Sequence, residues 1–123
     1  YVNPTHTQAE RKQKWNEIFN RFSDTVTDWS GQEEAKNYLW QKQLHLYEVP
    51  FYYIEYGMAQ LGAIAVWRNY KRDKQKGLEG YMNALKLGNL KSIPEVYKAA
   101  GIEFNFSQAY IRELINFVKQ EVK

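Results

Sequence analysis

The sequence predicts an all-α fold of about six helices, and three observations carry that prediction. Apolar residues recur at steps of three and four along most of the chain, the period of a helix with one buried face. Hydroxyl–x–x–carboxylate boxes and an early proline stand where such stripes begin, and glycines stand where they end. No stretch alternates apolar and polar residues for long enough to argue for a strand.

The first helix is opened by Thr7-Gln8-Ala9-Glu10, where hydroxyl and carboxylate satisfy free backbone N–H groups. Its stripe is Trp15, Ile18, Phe19 and Phe22, and Ser23-Asp24 stops it. Ser30-Gly31-Gln32-Glu33 reads as a second box, opening a helix with the stripe Ala35, Tyr38, Leu39 and Leu46. Val49-Pro50 ends that helix or turns the chain, because the residue before a proline avoids the α region. Pro50 suits the first turn of a third helix, Phe51 to Arg72, the least polar segment of the chain. Gly57, Gly62 and Ala63 on so long a helix predict close contact with another helix, at some cost in propensity. Leu78, Met82 and Leu85 mark a fourth helix, ended by Gly88. Ser92-Ile93-Pro94-Glu95 opens a short fifth, with proline in its first turn and Gly101 as its C-terminal cap. Ser107 opens a last amphipathic helix carrying Ile111, Leu114, Ile115, Val118 and Val122. No repeat, low-complexity stretch or linker divides the chain, so residues 1–123 read as a single all-helical segment.

A chain of 123 residues can bury roughly two thirds of its unfolded surface, enough for one core without staples. The absence of cysteine excludes disulfides, thiolate chemistry and cysteine–zinc sites, and it fits a cytoplasmic protein. No apolar run approaches the ~18 residues that span a bilayer, so no membrane partner is expected. A start at Tyr1, with neither an initiator methionine nor a signal peptide, reads as a piece taken from inside a longer sequence. Seventeen basic against fourteen acidic residues give a net charge of +3, far from the footprint of a dedicated nucleic-acid binder.

The inventory of reactive groups is short. The two histidines, His6 and His45, lie in no His-Glu-x-x-His pattern, so no metal site is expected within the chain. Ser23, Ser30, Ser92 and Ser107 all sit at helix starts or stops, and none lies in a Gly-x-Ser-x-Gly elbow. The basic segment Arg68, Lys71, Arg72, Lys74 and Lys76 could contact phosphate, but a solvated helix end explains it as well.

One segment is different: His45-Leu46-Tyr47-Glu48-Val49-Pro50-Phe51-Tyr52-Tyr53-Ile54-Glu55-Tyr56-Gly57. On a helix, Tyr52, Tyr56 and Tyr53 would fall at about 0°, 40° and 100°, three phenols on one third of the surface. Ala59, Gln60 and Ala63 follow on that face, leaving room for something to lie against the row. Neutral phenols are donors, suited to a peptide carbonyl or a developing oxyanion. The same spacing is also met by tyrosines that simply pack, with their hydroxyls at the rim.

His45, Pro50-Phe51-Tyr52-Tyr53-Ile54-Glu55-Tyr56-Gly57-Met58-Ala59-Gln60-Leu61-Gly62-Ala63 resembles the C-terminal motif of oligoendopeptidase F and its relatives, zinc metallopeptidases related to thimet oligopeptidase. The resemblance reaches back through Asp28-Trp29-Ser30-Gly31 and Thr5-His6-Thr7, and forward through Tyr81, Ala84-Leu85, Leu87-Gly88, Ser92-Ile93-Pro94-Glu95 and Ala99-Ala100-Gly101-Ile102. It implies that this all-helical segment is the C-terminal half of a larger helical catalytic domain. The zinc ligands, a His-Glu-x-x-His helix and a later glutamate, would lie upstream. There a zinc-activated water would attack the scissile carbonyl of a short peptide, with the upstream glutamate as base. His45 would contact the substrate backbone, and the motif's tyrosines would stabilise the tetrahedral intermediate. Tyr53 and Tyr56 match the family's spacing of three, while Tyr52 with Tyr56 is a competing pair, so Tyr52 is carried as a substrate-binding residue beside His45.

The function implied is therefore that of a zinc-dependent oligoendopeptidase acting on short peptides. This half would supply substrate-binding and oxyanion-stabilising residues, and would be inactive alone. A catalytically inactive helical module that binds peptides or a partner protein is the alternative, and a helical nucleic-acid binder using the basic segment is a minor third. The expected partners are peptide substrates and the upstream zinc-binding half of the same chain. Apolar surface left open without that half should make the segment self-associate, by exchange of a helix between copies. With no thiol and two histidines far apart in sequence, this chain alone should not retain zinc. Elemental analysis after dialysis should find far less than one zinc per chain, and one tightly bound zinc would contradict the reading.

Overall fold

A computed structural model describes residues 3–122. Among them the structure is all-helical, with seven α-helices and one 3₁₀ helix. They are α1 (Gln8–Phe22), α2 (Glu33–Asn37), a 3₁₀ turn (Leu39–Lys42), α3 (His45–Glu48), α4 (Ile54–Arg72), α5 (Lys74–Leu87), α6 (Ile93–Ala99) and α7 (Gln108–Glu121). The chain packs as two compact units, Tyr1–Tyr52 and Tyr53–Lys123.

In the first unit α1 begins as its sequence predicts. Thr7 Oγ1 accepts from the Glu10 N–H at 3.2 Å, and the Glu10 carboxylate accepts from the Thr7 N–H at 2.6 Å. The expected second box does not form. Ser30 Oγ donates to Asp28 at 2.7 Å instead, Gly31 takes a left-handed φ of +76°, and the helix starts at Glu33. Nor does it run on to Val49. The indole N–H of Trp15 donates to the Lys36 carbonyl at 3.0 Å, and the Asn16 amide bonds that of Asn37. These bonds from α1 take up the end of α2, and the backbone tightens into 3₁₀ hydrogen bonds from Gln41 to Tyr38 and Gln43 to Trp40. Among the described residues of this unit none is fully buried. Trp15 and Phe19 are half-covered, and Ile18 and Phe22 of the expected buried stripe are exposed.

The second unit has a real core: Ala65, Ala84, Ala100, Ile102, Tyr110 and Leu114, the last wholly inaccessible. Three of its six members are alanine because the helices approach closely. A methyl group on Gly77 of α5 would stand 2.6 Å from both Cα and N of Tyr70 on α4. One on Gly62 of α4 would stand 2.7 Å from the Tyr97 hydroxyl of α6. The predicted close contact is thus real at Gly62, whereas a methyl at Gly57 would meet nothing within 4 Å. Asp73 both ends α4 and caps α5, accepting from the Lys76 N–H at 3.1 Å. The turn after α6 is closed by Gly101 at φ +72°, with Ile102 N–H on Tyr97 O and Gly101 N–H on Lys98 O, both at 3.0 Å. The helix Phe51 to Arg72 begins later than its pattern predicts, at Ile54. Phe51 adopts φ +66°, a left-handed conformation no helix can contain, and Val49 to Tyr53 form a turn.

Gly77→Ala should destabilise the protein by about 1–3 kcal/mol, since backbone atoms rather than a mobile side chain must yield. Gly57→Ala should stabilise it, by up to about 1 kcal/mol of helix propensity. Thermal denaturation of the two variants side by side checks both signs.

Acid should loosen the helix starts. The Thr7 N–H and hydroxyl hold Glu10 below the usual 4.5, and the Ser92 hydroxyl and N–H do the same for Glu95. A depressed pKa means that the stabilisation is complete above the ordinary glutamate value and is lost as pH falls through the lower folded one. Amide chemical shifts of Thr7 and Ser92 should therefore titrate below pH 4.5. Glu10→Gln and Glu95→Gln should each abolish one of the two transitions.

Candidate active site

The segment that carries the candidate residues straddles the division between the two units, and each side is ordered in its own way. On the first side, α3 is a single turn begun by His45. The imidazole lies parallel to the Tyr52 ring, with centroids 5.6 Å apart and planes inclined by 9°. Stacking of this kind fixes the plane of the imidazole. The Tyr52 N–H donates to the Val49 carbonyl at 3.1 Å, so Tyr52 belongs to the turn and not to α4. The expectation that Tyr52 is part of that helix is thereby corrected: α4 begins at Ile54, Phe51 takes a left-handed φ, and Tyr52 stacks on His45.

On the second side, Tyr53 stands at the N-cap position of α4 with helical backbone angles, and Tyr56 lies in the first turn. Their rings are 5.5 Å apart and tilted by 58°. The spacing of three places both on adjoining turns, as the sequence predicts for this pair. Both residues are exposed, Tyr53 by 43% and Tyr56 by 52%. Two neighbouring phenols of this kind offer a pair of neutral donors to one carbonyl oxygen or oxyanion.

Behind that first turn the second unit supplies groups that sequence reasoning missed. The Tyr97 hydroxyl of α6 donates to the Met58 carbonyl of α4 at 3.0 Å. Burial pushes the Tyr97 phenol up from its ordinary value, which keeps it a neutral donor. An apolar cleft of about 760 Å³ opens among α4, α5 and α6, with Ala63, Trp67, Tyr70, Tyr81 and Leu85 in its walls. Ala59 and Ala63, the small residues that the sequence places beyond the tyrosines, are among its lining.

Of the basic segment, Lys71, Arg72, Lys74 and Lys76 are exposed, as a solvated helix end predicts, and Arg68 departs from that expectation. Arg68 is buried, and its guanidinium donates to Glu113 of α7 at 2.7 Å. Arg72 lies 3.8 Å from the same carboxylate, and Lys71 pairs with Glu121. Three of the five cations thus share two carboxylates, Glu113 and Glu121, and Lys76 lies 3.7 Å from Asp73. No three histidine, aspartate or glutamate side chains gather into a metal-holding group among the described residues. No helix among them is long and apolar enough to cross a membrane.

The model of Peptidase family M3 matches residues 3–115, which include His45, Tyr52, Tyr53, Tyr56 and Tyr97. No curated protein matches the chain. No solved structure matches it either.

Proposed function

We propose, from the premise that this chain belongs to peptidase family M3, that it is the C-terminal half of the catalytic domain of an oligoendopeptidase F-like zinc metallopeptidase. Its substrates would be short peptides. The observation that carries the reading is the Tyr53–Tyr56 pair, 5.5 Å apart at the exposed start of α4, inside the segment that the family model covers. Zinc would be held by upstream residues, and no step here depends on a metal bound to this chain.

The chemistry of this half follows from its donors. As a peptide carbonyl becomes tetrahedral, charge develops on its oxygen, and a phenol already aimed at that position stabilises the transition state more than the ground state. Tyr56 is the primary donor in this reading and Tyr53 its neighbour. His45, its plane fixed by the Tyr52 stack, binds the substrate backbone through a ring nitrogen. Cytoplasmic peptide turnover is the setting that a chain without cysteine fits.

The test is Tyr56→Phe in the full-length enzyme, which keeps the ring and deletes one hydrogen bond. Loss of an oxyanion donor costs about 10²–10³ in kcat, and KM should move much less. Zinc content and Tm should stay near wild type. Tyr53→Phe and Tyr52→Phe measured beside it identify the second donor. Full kcat with lowered stability in Tyr56→Phe would make this tyrosine a packing residue and end the reading.

A further inference from the structure

We infer that Tyr97 is a positioning residue, whose hydroxyl bond to the Met58 carbonyl holds the first turn of α4, and with it Tyr56, in place. The inference rests on the oxyanion reading for its catalytic consequence, while the strut itself rests on the geometry alone.

Ile54 is 68% exposed and Tyr56 52%, and Met58 is the first residue of the helix that is half-buried. In an α-helix the Met58 carbonyl already accepts from the N–H of Gly62. The Tyr97 hydroxyl reaches the same oxygen at 3.0 Å from outside the helix. It can do so because residue 62 has no side chain, since a methyl there would stand 2.7 Å from the hydroxyl oxygen and 3.0 Å from the ring carbon that bears it. Glycine at position 62 is thus the notch into which the phenol fits.

The other end of the strut is firmly set. The Tyr97 ring meets Phe104 edge to face at 5.2 Å, and Phe104 meets Phe106 in the same way at 4.9 Å. The Tyr97 carbonyl accepts from the Ile102 N–H in the turn that closes α6. Backbone and ring are therefore both held, with Asn69 of α4 also bonding the Gly101 carbonyl of that turn at 2.7 Å, and the hydroxyl joins them to the turn two residues beyond Tyr56. An oxyanion donor must be aimed before charge develops, so a displacement of its turn is felt in the transition state more than in substrate binding.

Hydrogen exchange on this chain tests the strut without any catalysis. Tyr97→Phe should speed exchange of the Met58 to Gly62 amides by about 3- to 10-fold, the range for one neutral hydrogen bond. Amides of α5 and α7 should keep their rates. Gly62→Ala, which displaces the phenol by contact, should give the same local pattern, and the double variant should add little. Unchanged exchange at Met58 to Gly62, or equal acceleration throughout the unit, would overturn the strut. In the full-length enzyme Tyr97→Phe should lower kcat by a similar factor with KM nearly constant. In a Tyr56→Phe background it should lower kcat no further, and a full additional loss there would overturn positioning through Tyr56. A silent Tyr56→Phe would instead mark failure of the oxyanion reading, with the exchange data still deciding the strut.

Discussion

The contact on which the second unit depends is the meeting of two backbones, α5 at Gly77 against α4 at Tyr70. Helices that touch at the level of Cα and N leave no room for large side chains between them. Ala65 and Ala84 are buried for that reason, and bulk is provided by Ile102 after α6 and by Tyr110 and Leu114 of α7. The same closeness on the other flank of α4 lets Tyr97 reach past Gly62 to a backbone carbonyl. Core packing and the support of the candidate oxyanion donors are thus two results of one small-residue helix.

A polar seam completes the arrangement. Arg68 enters the unit from α4, with its charge centre 5.6 Å from the Tyr110 ring and its guanidinium on Glu113. Burying a cation is costly unless it is paired, so Glu113 makes the position of α7 on α4 specific as well as favourable. The edge-to-face contact of Trp67 with Phe117 at 4.9 Å holds the same two helices a turn away.

Legibility in the sequence followed the range of the interactions. Thr7 with Glu10, Ser92 with Glu95, and the glycines at 88 and 101 act within a few residues, and the helix ends they mark lie where they point. The long second helix was not legible, because what breaks it is the Trp15 indole, 21 positions away from Lys36. Tyr53 and Tyr56 were readable as a pair from their spacing of three. Tyr52 was not, since a left-handed phenylalanine has no sequence signature and moves it from the helix to the His45 ring. Arg68 and Tyr97 carry no local mark of their roles. One looks like any cation at a helix end and the other like any core aromatic, until Glu113 and Met58 are brought beside them.

Asp73 joins α4 to α5 by serving as the last cap of one and the first cap of the other, a connection one residue long. Such a joint fixes the phase of both helices. An inserted residue would turn α5 by about 100° about its axis and carry Gly77 away from Tyr70. Length variation between α4 and α5 is therefore closed to this chain. Among longer and shorter versions of this sequence, the chain between Arg72 and Lys74 is the part that should keep its count.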